Sequence, residues 1–370
     1  MRATALALVA LLLGASCRGP AASSGSAADR LAPPLPGNLY HGVYPGGQTG
    51  EEDDITLADV ASYEETVGMK VAWVYFSNNW YSSQRFPRQT AQWIRDSGAL
   101  PFIRLMLRGE NNTSGPYTLA SIVAGDHDAA LQQWAREARA FGTPLLVEYG
   151  TEVNGDWFPW NGAHNGGGQA DGFDDPTKPD GPERFVAAFR HIVNVMRGAG
   201  ATNINWVFHV NASDWPQDAW NRLENYYPGD AYVTWIGVSA YGPQEPTDTE
   251  WETFRAQMDP CYARLDRLAP TKPVIALEFG GTAGSPLAKP EDWAGAALTD
   301  LLGHRWPRII GFSWWNERWQ NDSNSLHDTT MRVQDTPALA AVFHIRLEVA
   351  KDEIEQRPRF ITLRHFPRPE

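Results

Sequence analysis

The chain has 370 residues, 42% of them hydrophobic and 20% charged, and a formal net charge of −13. That balance excludes a disordered chain, and its sign argues against nucleic acid or an anionic membrane surface as the main partner, because both attract basic proteins. A neutral ligand such as a polysaccharide is indifferent to the charge, and the 16 Trp and 12 Tyr offer faces that stack on sugar rings as well as fill cores.

The N-terminus reads as an export signal over residues 1–16: Arg2 is followed by the apolar run Ala5–Leu13, too short to span a bilayer. The stretch Leu13-Gly-Ala-Ser-Cys17 resembles a bacterial lipobox, which implies cleavage before Cys17, a lipid on its sulfur and an envelope or secreted location. The other cysteine, Cys261, falls on a helical stretch and reads as a small buried residue. Residues 17–37, rich in Ala, Ser, Gly and Pro, read as a linker between anchor and body.

From Asn38 onward strand-like runs alternate with helical spacing. The strands are expected at Leu39–Tyr44, Lys70–Phe76, Pro101–Leu107, Pro144–Tyr149, Asn203–His209, Val233–Ser239, Pro273–Phe279 and Arg308–Trp314. Helical segments lie at Leu57–Val67, Thr90–Ser97, Leu119–Phe141, Pro182–Gly198, Trp251–Leu268, Trp293–Leu302 and Thr336–Glu355, with Gln217–Tyr226 the one candidate between strands five and six. Alternation of this kind means parallel strands with crossover helices, either a closed barrel or an open doubly wound sheet. A count of eight, a body of residues 38–356 and no glycine-rich phosphate fingerprint favour an α/β fold of one (β/α)8 TIM barrel. Residues 357–370 read as a C-terminal tail.

Two carboxylates stand at the ends of apolar runs: Glu152, after Pro144-Leu-Leu-Val-Glu-Tyr-Gly-Thr, and Glu278, in Pro273-Val-Ile-Ala-Leu-Glu-Phe-Gly. Function in such barrels sits at the C-terminal strand ends, and a carboxyl pair among aromatics is what hydrolysis of a glycosidic bond requires. The two lie far apart in sequence, so only folding can bring them together.

Five ordered blocks give the chain a family resemblance. His41-Gly-Val-Tyr-Pro-Gly46, Ile122 to Asp128 with Trp134 and Gly142-Thr-Pro144, Glu152-Val-Asn-Gly-Asp-Trp-Phe-Pro-Trp160, Asn203 to His209 with Tyr232 to Tyr241, and Pro273 to Gly280 together resemble family 26 of the glycoside hydrolases, best known for β-mannanases, from about residue 38 to 345. The resemblance implies a retaining enzyme with Glu152 as acid/base and Glu278 as nucleophile. It also implies Tyr241 as the hydroxyl that holds the nucleophile, and Trp314 or Trp315 as the floor under the reacting sugar. Adjacent residues point to opposite faces of a strand; Trp314 is the favoured one.

Two positions depart from the family pattern: Thr151 stands where His usually precedes the acid/base, and Glu148 where Arg is common. Both touch the reacting subsite and open the question of sugar preference. Further substrate-binding candidates are Trp157 and Trp160 with Phe158 in the long loop after residue 156, Asn154 in the acid/base block, Thr151 itself and Trp80 after strand two. Arg104 and Arg108 are rim candidates. Glu317 reads as a loop salt-bridge partner of Arg318 or Arg332. Asp171, Asp174, Asp175 and Asp180 lack the calcium-loop spacing, and His127 and His164 lack partners at metal spacing, so neither a metal nor a cofactor is expected.

The leading expectation is an exported, lipid-anchored, monomeric β-1,4-mannanase acting on mannan or galactomannan. A β-glucanase or β-1,3-xylanase of the same family is the enzymatic alternative. A polysaccharide-binding surface lipoprotein is the non-enzymatic one, which the presence of both carboxylates disfavours.

Overall fold

Eight parallel strands close on themselves: β1 (Leu39–Tyr44), β2 (Trp73–Asn79), β3 (Leu100–Met106), β4 (Leu145–Glu148), β5 (Ile204–Asn211), β6 (Trp235–Tyr241), β7 (Val274–Gly280) and β8 (Ile309–Trp315). The structure, a computed structural model, describes residues 30–46, 52 and 54–361; the export signal and Cys17 lie outside the described residues. Closure is direct, since β1 pairs with β8 in parallel register from Tyr40↔Gly311 to Tyr44↔Trp315. The chain is therefore a single (β/α)8 barrel.

The helices are α1 (Leu57–Val67), α2 (Arg88–Asp96), α3 (Leu119–Ala124), α4 (Asp128–Phe141), α5 (Asp180–Gly198), α6 (Phe254–Leu268), α7 (Pro290–Leu302) and α8 (Pro337–Val349). The helix expected over Thr336–Glu355 ends at Val349, and Ile354–Glu355 pairs in parallel with Leu39–Tyr40 instead. Two others differ from expectation for local reasons. The single helix expected over 119–141 is two, because Gly125 takes φ 86° and caps α3, a conformation that costs glycine nothing. The segment Gln217–Tyr226 forms only the 3-10 turns Ala219–Asn221 and Leu223–Tyr226. Asn225 Nδ2 donates to the carbonyls of Ala219 and Trp220, and Asn221 Nδ2 to that of Asn154; such side-chain bonds offer the backbone an alternative to a helix.

Strand parity decides what faces the barrel axis. Trp73 fills the interior, donating from Nε1 to Ser313 Oγ at 2.6 Å. A Cβ at Gly42 or Gly311 would overlap its indole, so β1 and β8 need glycine there. Above this layer Tyr75 packs against Phe102, with ring centroids 4.7 Å apart, and polar side chains take over towards the C-terminal ends.

The termini correct two readings. Arg30–Leu31 pairs antiparallel with Phe360–Ile361, Leu31 is buried, and Arg30 donates to the carbonyl of Ile204 at 2.8 Å. The linker thus ends before residue 30, not at 37, and the chain is still paired past 357. Both ends were read from composition, which does not register a two-residue strand pair.

Candidate active site

Glu278 lies on β7, paired with Ser239 just past a register shift in which β7 has one extra residue, Leu277, opposite the Val238–Ser239 step of β6; bulges of this kind re-aim side chains beside active sites. The carboxylate is buried. Tyr241 OH donates to its Oε2 at 2.8 Å, Tyr75 OH lies 3.0 Å from its Oε1, and Arg104 Nε is 3.8 Å away. Burial pushes its pKa up to about 7, with Glu152 and Glu148 adding and Arg104 and His209 opposing.

Glu152 reaches the cleft by a different route from the one expected. Strand β4 stops at Glu148, and the chain turns through Gly150 at φ 78° and Glu152 itself at φ 48°. A left-handed non-glycine residue costs roughly 1–2 kcal/mol, and the surroundings over-determine it. Asn161 Nδ2 donates to the carbonyls of Glu152 and Val153, both at 3.0 Å, Trp160 Nε1 to that of Thr151 at 2.9 Å, and the Val153 amide to His209 O at 3.2 Å. Asn154 adds a clamp to the β5 loop, accepting from the Asn211 amide and donating to Asp214. Trp157 Nε1 then donates to Glu152 Oε2 at 2.6 Å.

Both carboxylates line one cleft of about 530 Å³, together with Tyr241, Arg104, Trp157 and Phe158. Glu52, Trp315, Glu317 and Trp319 also line it. Trp315 stacks on Tyr44 with centroids 3.8 Å apart and planes 7° from parallel, so its plane is fixed from behind. Trp157 is 38% exposed, an indole face open to a ligand.

Several candidate residues lie elsewhere. Trp314 points outward: its Nε1 donates to Met331 O at 2.7 Å and its ring meets Phe343 and Phe279. Trp315 is therefore the strand-eight indole in the cleft. Trp80 is buried against Tyr117. Trp160 is buried and stacks on Phe158. Thr151 donates to Glu148 Oε1 at 2.6 Å beneath the cleft. Asn154 is buried in its clamp. Arg108 holds Asn79 and lies over Tyr81. Glu317 forms no ion pair with Arg318 or Arg332, both of which face Asp335. Its Oε1 accepts from the Arg318 amide, and its Oε2 has no hydrogen-bond partner among the described residues. Burial first, then Asp54 and Glu52, lift it to about 8 against the Arg318 amide and Arg332.

This last shift has a sign. The folded state keeps the Glu317 proton that the unfolded state releases near its ordinary value, so Glu317 makes stability fall as pH climbs from about 4.5 to about 8. Glu317→Gln is expected to raise stability by on the order of 3 kcal/mol at about pH 9 and by little at about pH 4. Urea titrations at the two pH values check it; equal gains at both would refute the assignment.

Sequence reasoning missed the group beneath Glu278. Glu148 Oε1 accepts from Tyr75 OH at 2.5 Å and lies 3.5 Å from Arg104 Nε, while Oε2 sits 2.5 Å from His209 Nδ1. Burial raises Glu148, but His209, Arg104 and Thr151 outweigh it and hold the carboxyl below its ordinary range. Burial lowers His209, and Glu148 reverses that. Strand parity was the available signal: Tyr75, Arg104, Glu148 and His209 all occupy inward positions near strand ends. Among the described residues, Glu148, His209 and Glu278 bring possible ligand atoms within 4.8 Å of one another. The Arg104 guanidinium already occupies that space and opposes a cation there. The loop aspartates do not converge: Asp175 accepts from Thr177, and Asp180 from the Gly172 amide.

Trp157 supplies a donor as well as a face. Trp157→Phe keeps an aromatic plane and removes the hydrogen bond to Glu152, so turnover of an unactivated polymer is expected to fall about 10- to 100-fold. An aryl glycoside with a good leaving group should be nearly unaffected. An equal loss on both substrates would make Trp157 a platform alone.

Residues 118–272 match the sequence profile described as Glycosyl hydrolase family 26. Endoglucanase H of Acetivibrio thermocellus is 27% identical over 309 residues, 82% of this chain and 30% of that protein. Mannan endo-1,4-beta-mannosidase A and B of Caldalkalibacillus mannanilyticus is 24% identical over 190 residues, 50% of this chain and 30% of that protein. The chain thus spans under a third of the length of these relatives. The catalytic domain of the Bacillus sp. JAMB-750 endo-beta-1,4-mannanase has the same fold, with a TM-score of 0.58 at 18% identity over 86% of this chain and 87% of that one.

Proposed function

The chain belongs to glycosyl hydrolase family 26, and from that premise we propose that it is a retaining glycosidase cutting β-1,4 links in mannan or galactomannan by double displacement. The observation that carries the reading is the shared cleft of Glu152 and Glu278, one held by Trp157 and the other by Tyr241. In the first step a Glu278 oxygen bonds to the anomeric carbon, the glycosidic C–O bond breaks, and the proton of Glu152 goes to the leaving oxygen. In the second, Glu152 takes a proton from water, the water oxygen bonds to the same carbon, and Glu278 leaves as a carboxylate. The first step needs one proton between them, carried by Glu152, with Glu278 ionised. Trp315 underlies the reacting sugar, and Trp157 faces the departing one.

The cleft wall sets Glu52, Glu152, Glu278 and Glu317 against Arg104. Arg104 already faces Glu52 at 3.0 Å and Glu278 at 3.8 Å, so this lining offers a uronic-acid polymer no uncommitted cation and suits a neutral backbone. Residues 1–17 support export with a lipid on Cys17, a reading that loss of labelled lipid from Cys17→Ser would test.

A second reading, a β-glucanase, is favoured by the alignment with Endoglucanase H over most of this chain and by the unusual Thr151 and Glu148. The deciding experiment follows products by NMR on mannan, galactomannan, β-glucan and β-1,3-xylan. Fastest cleavage of mannans, with β-anomeric reducing ends appearing first, is expected. Preference for β-glucan selects the second reading, α-anomers first would exclude retention, and no release from any polymer would exclude the hydrolase.

A further inference from the structure

Two buried carboxylates compete for the same donors. Tyr75 has one hydroxyl proton, and its oxygen lies 2.5 Å from Glu148 Oε1 and 3.0 Å from Glu278 Oε1. Arg104 Nε lies 3.5 Å from the first and 3.8 Å from the second. Glu148 is the better anchored of the two. Thr151 donates to it at 2.6 Å, and His209 Nδ1 lies 2.5 Å away, with Nε2 of that ring 2.7 Å from Ser239 Oγ.

We infer that Glu148 is a positioning residue for Glu278: by taking the Tyr75 proton and sharing Arg104, it leaves Tyr241 as the one short hydrogen bond on Glu278 and keeps that carboxylate free to attack. The inference rests on the reading of Glu278 as the nucleophile. Its physical basis is that each donor aimed at a carboxylate stabilises the charge and lowers its basicity. A carboxylate receiving Tyr75, Tyr241 and Arg104 in full would attack poorly. Glu148 also balances the covalent state. When Glu278 becomes an ester its charge is lost, and Glu148 remains beside Glu52 as an anion facing Arg104, so no buried positive charge is stranded.

The groups facing Glu278 are Tyr75 on β2, Arg104 on β3, Glu148 on β4, Glu152 on the turn beyond it, His209 on β5 and Tyr241 on β6. Of these, replacing Glu148 or Tyr75 separates the inference from a purely structural ion pair. The test is kcat/KM against pH for the wild type, Glu148→Gln and Tyr75→Phe, with thermal melts on each. Glu148→Gln is expected to move the acidic limb down by about one pH unit, since Glu278 loses an anionic neighbour and gains the Tyr75 proton. It should lower kcat about tenfold with KM little changed. Tyr75→Phe is expected to leave the limb within a few tenths of a unit, because its proton belongs to Glu148.

An unmoved limb in Glu148→Gln overturns the inference. So does a Tyr75→Phe limb raised by about one unit, which would mean that Tyr75 serves Glu278. Tyr75→Phe carries the test alone if Glu148→Gln does not fold. Failure of the underlying reading is a separate result, activity surviving in Glu278→Ala.

Discussion

Glu278→Ala is expected to lower kcat on polysaccharide by on the order of 10⁴ or more, with the melting temperature unchanged or raised. The loss follows from the mechanism, because the covalent step is made by the Glu278 carboxylate. The stability side follows from burial, since Glu278 is desolvated beside Glu148 and Glu152, and removing it relieves like-charge repulsion. Azide added to the variant with an activated aryl β-glycoside should restore turnover. The azide nitrogen bonds to the anomeric carbon as the phenolate leaves, giving an α-glycosyl azide. A β-azide, or a variant that keeps more than a few per cent of wild-type turnover on polymer, would remove Glu278 from the nucleophile's role.

The complementary result is expected of Glu152→Ala. Cleavage of polysaccharide should fall about 10²- to 10⁴-fold, the usual range for a lost proton donor. An aryl glycoside whose phenolate leaves without protonation should still react rapidly in the first step and then stall, visible as a burst of phenolate. Azide should release the stalled enzyme as a β-glycosyl azide, since it replaces the water that Glu152 can no longer activate. Equal losses on good and poor leaving groups would show that Glu152 acts on binding or geometry instead of proton transfer. Loss of Glu152 also removes the acceptor of Trp157 Nε1, so restraint on that indole should fall, which fluorescence anisotropy reads.

The acidic side of the activity profile follows from the direction in which Glu278 is moved. Its pKa is raised to about 7 by burial first, and only the ionised form attacks, so kcat/KM should decline as pH falls through the neutral region.

The barrel was readable because its signals are redundant. Seven helical stretches and eight apolar runs at regular spacing each had their own support, and β1 and α1 occur where the pattern put them. The finer placements depended on facts that composition does not carry. Trp314 and Trp315 are equally aromatic and both buried, so only the register with β1, where Tyr44 meets Trp315, says which turns inward. Glu152 reads as a strand end because it closely follows the apolar run Pro144–Val147. Hydrogen bonds from Asn161 and Trp160, distant in pattern though close in sequence, bend the chain beyond that run into a turn. Thr151 and Glu148 stood out as departures, yet their meaning lay in Tyr75, Arg104 and His209 on three other strands. Pairings between strands 40 to 130 residues apart leave no local trace.

The antiparallel pair joining Arg30–Leu31 to Phe360–Ile361 fixes the orientation of the whole molecule relative to anything attached to it. The pair sits beside the first residues of β5, at the opposite pole from the cleft. A leash fastened ahead of Arg30 would therefore leave from the underside, and the catalytic mouth would face away from the surface that holds the leash. The same geometry sets residues 30 and 361 side by side at that pole, so the polypeptide enters and leaves the barrel on the side away from the groove.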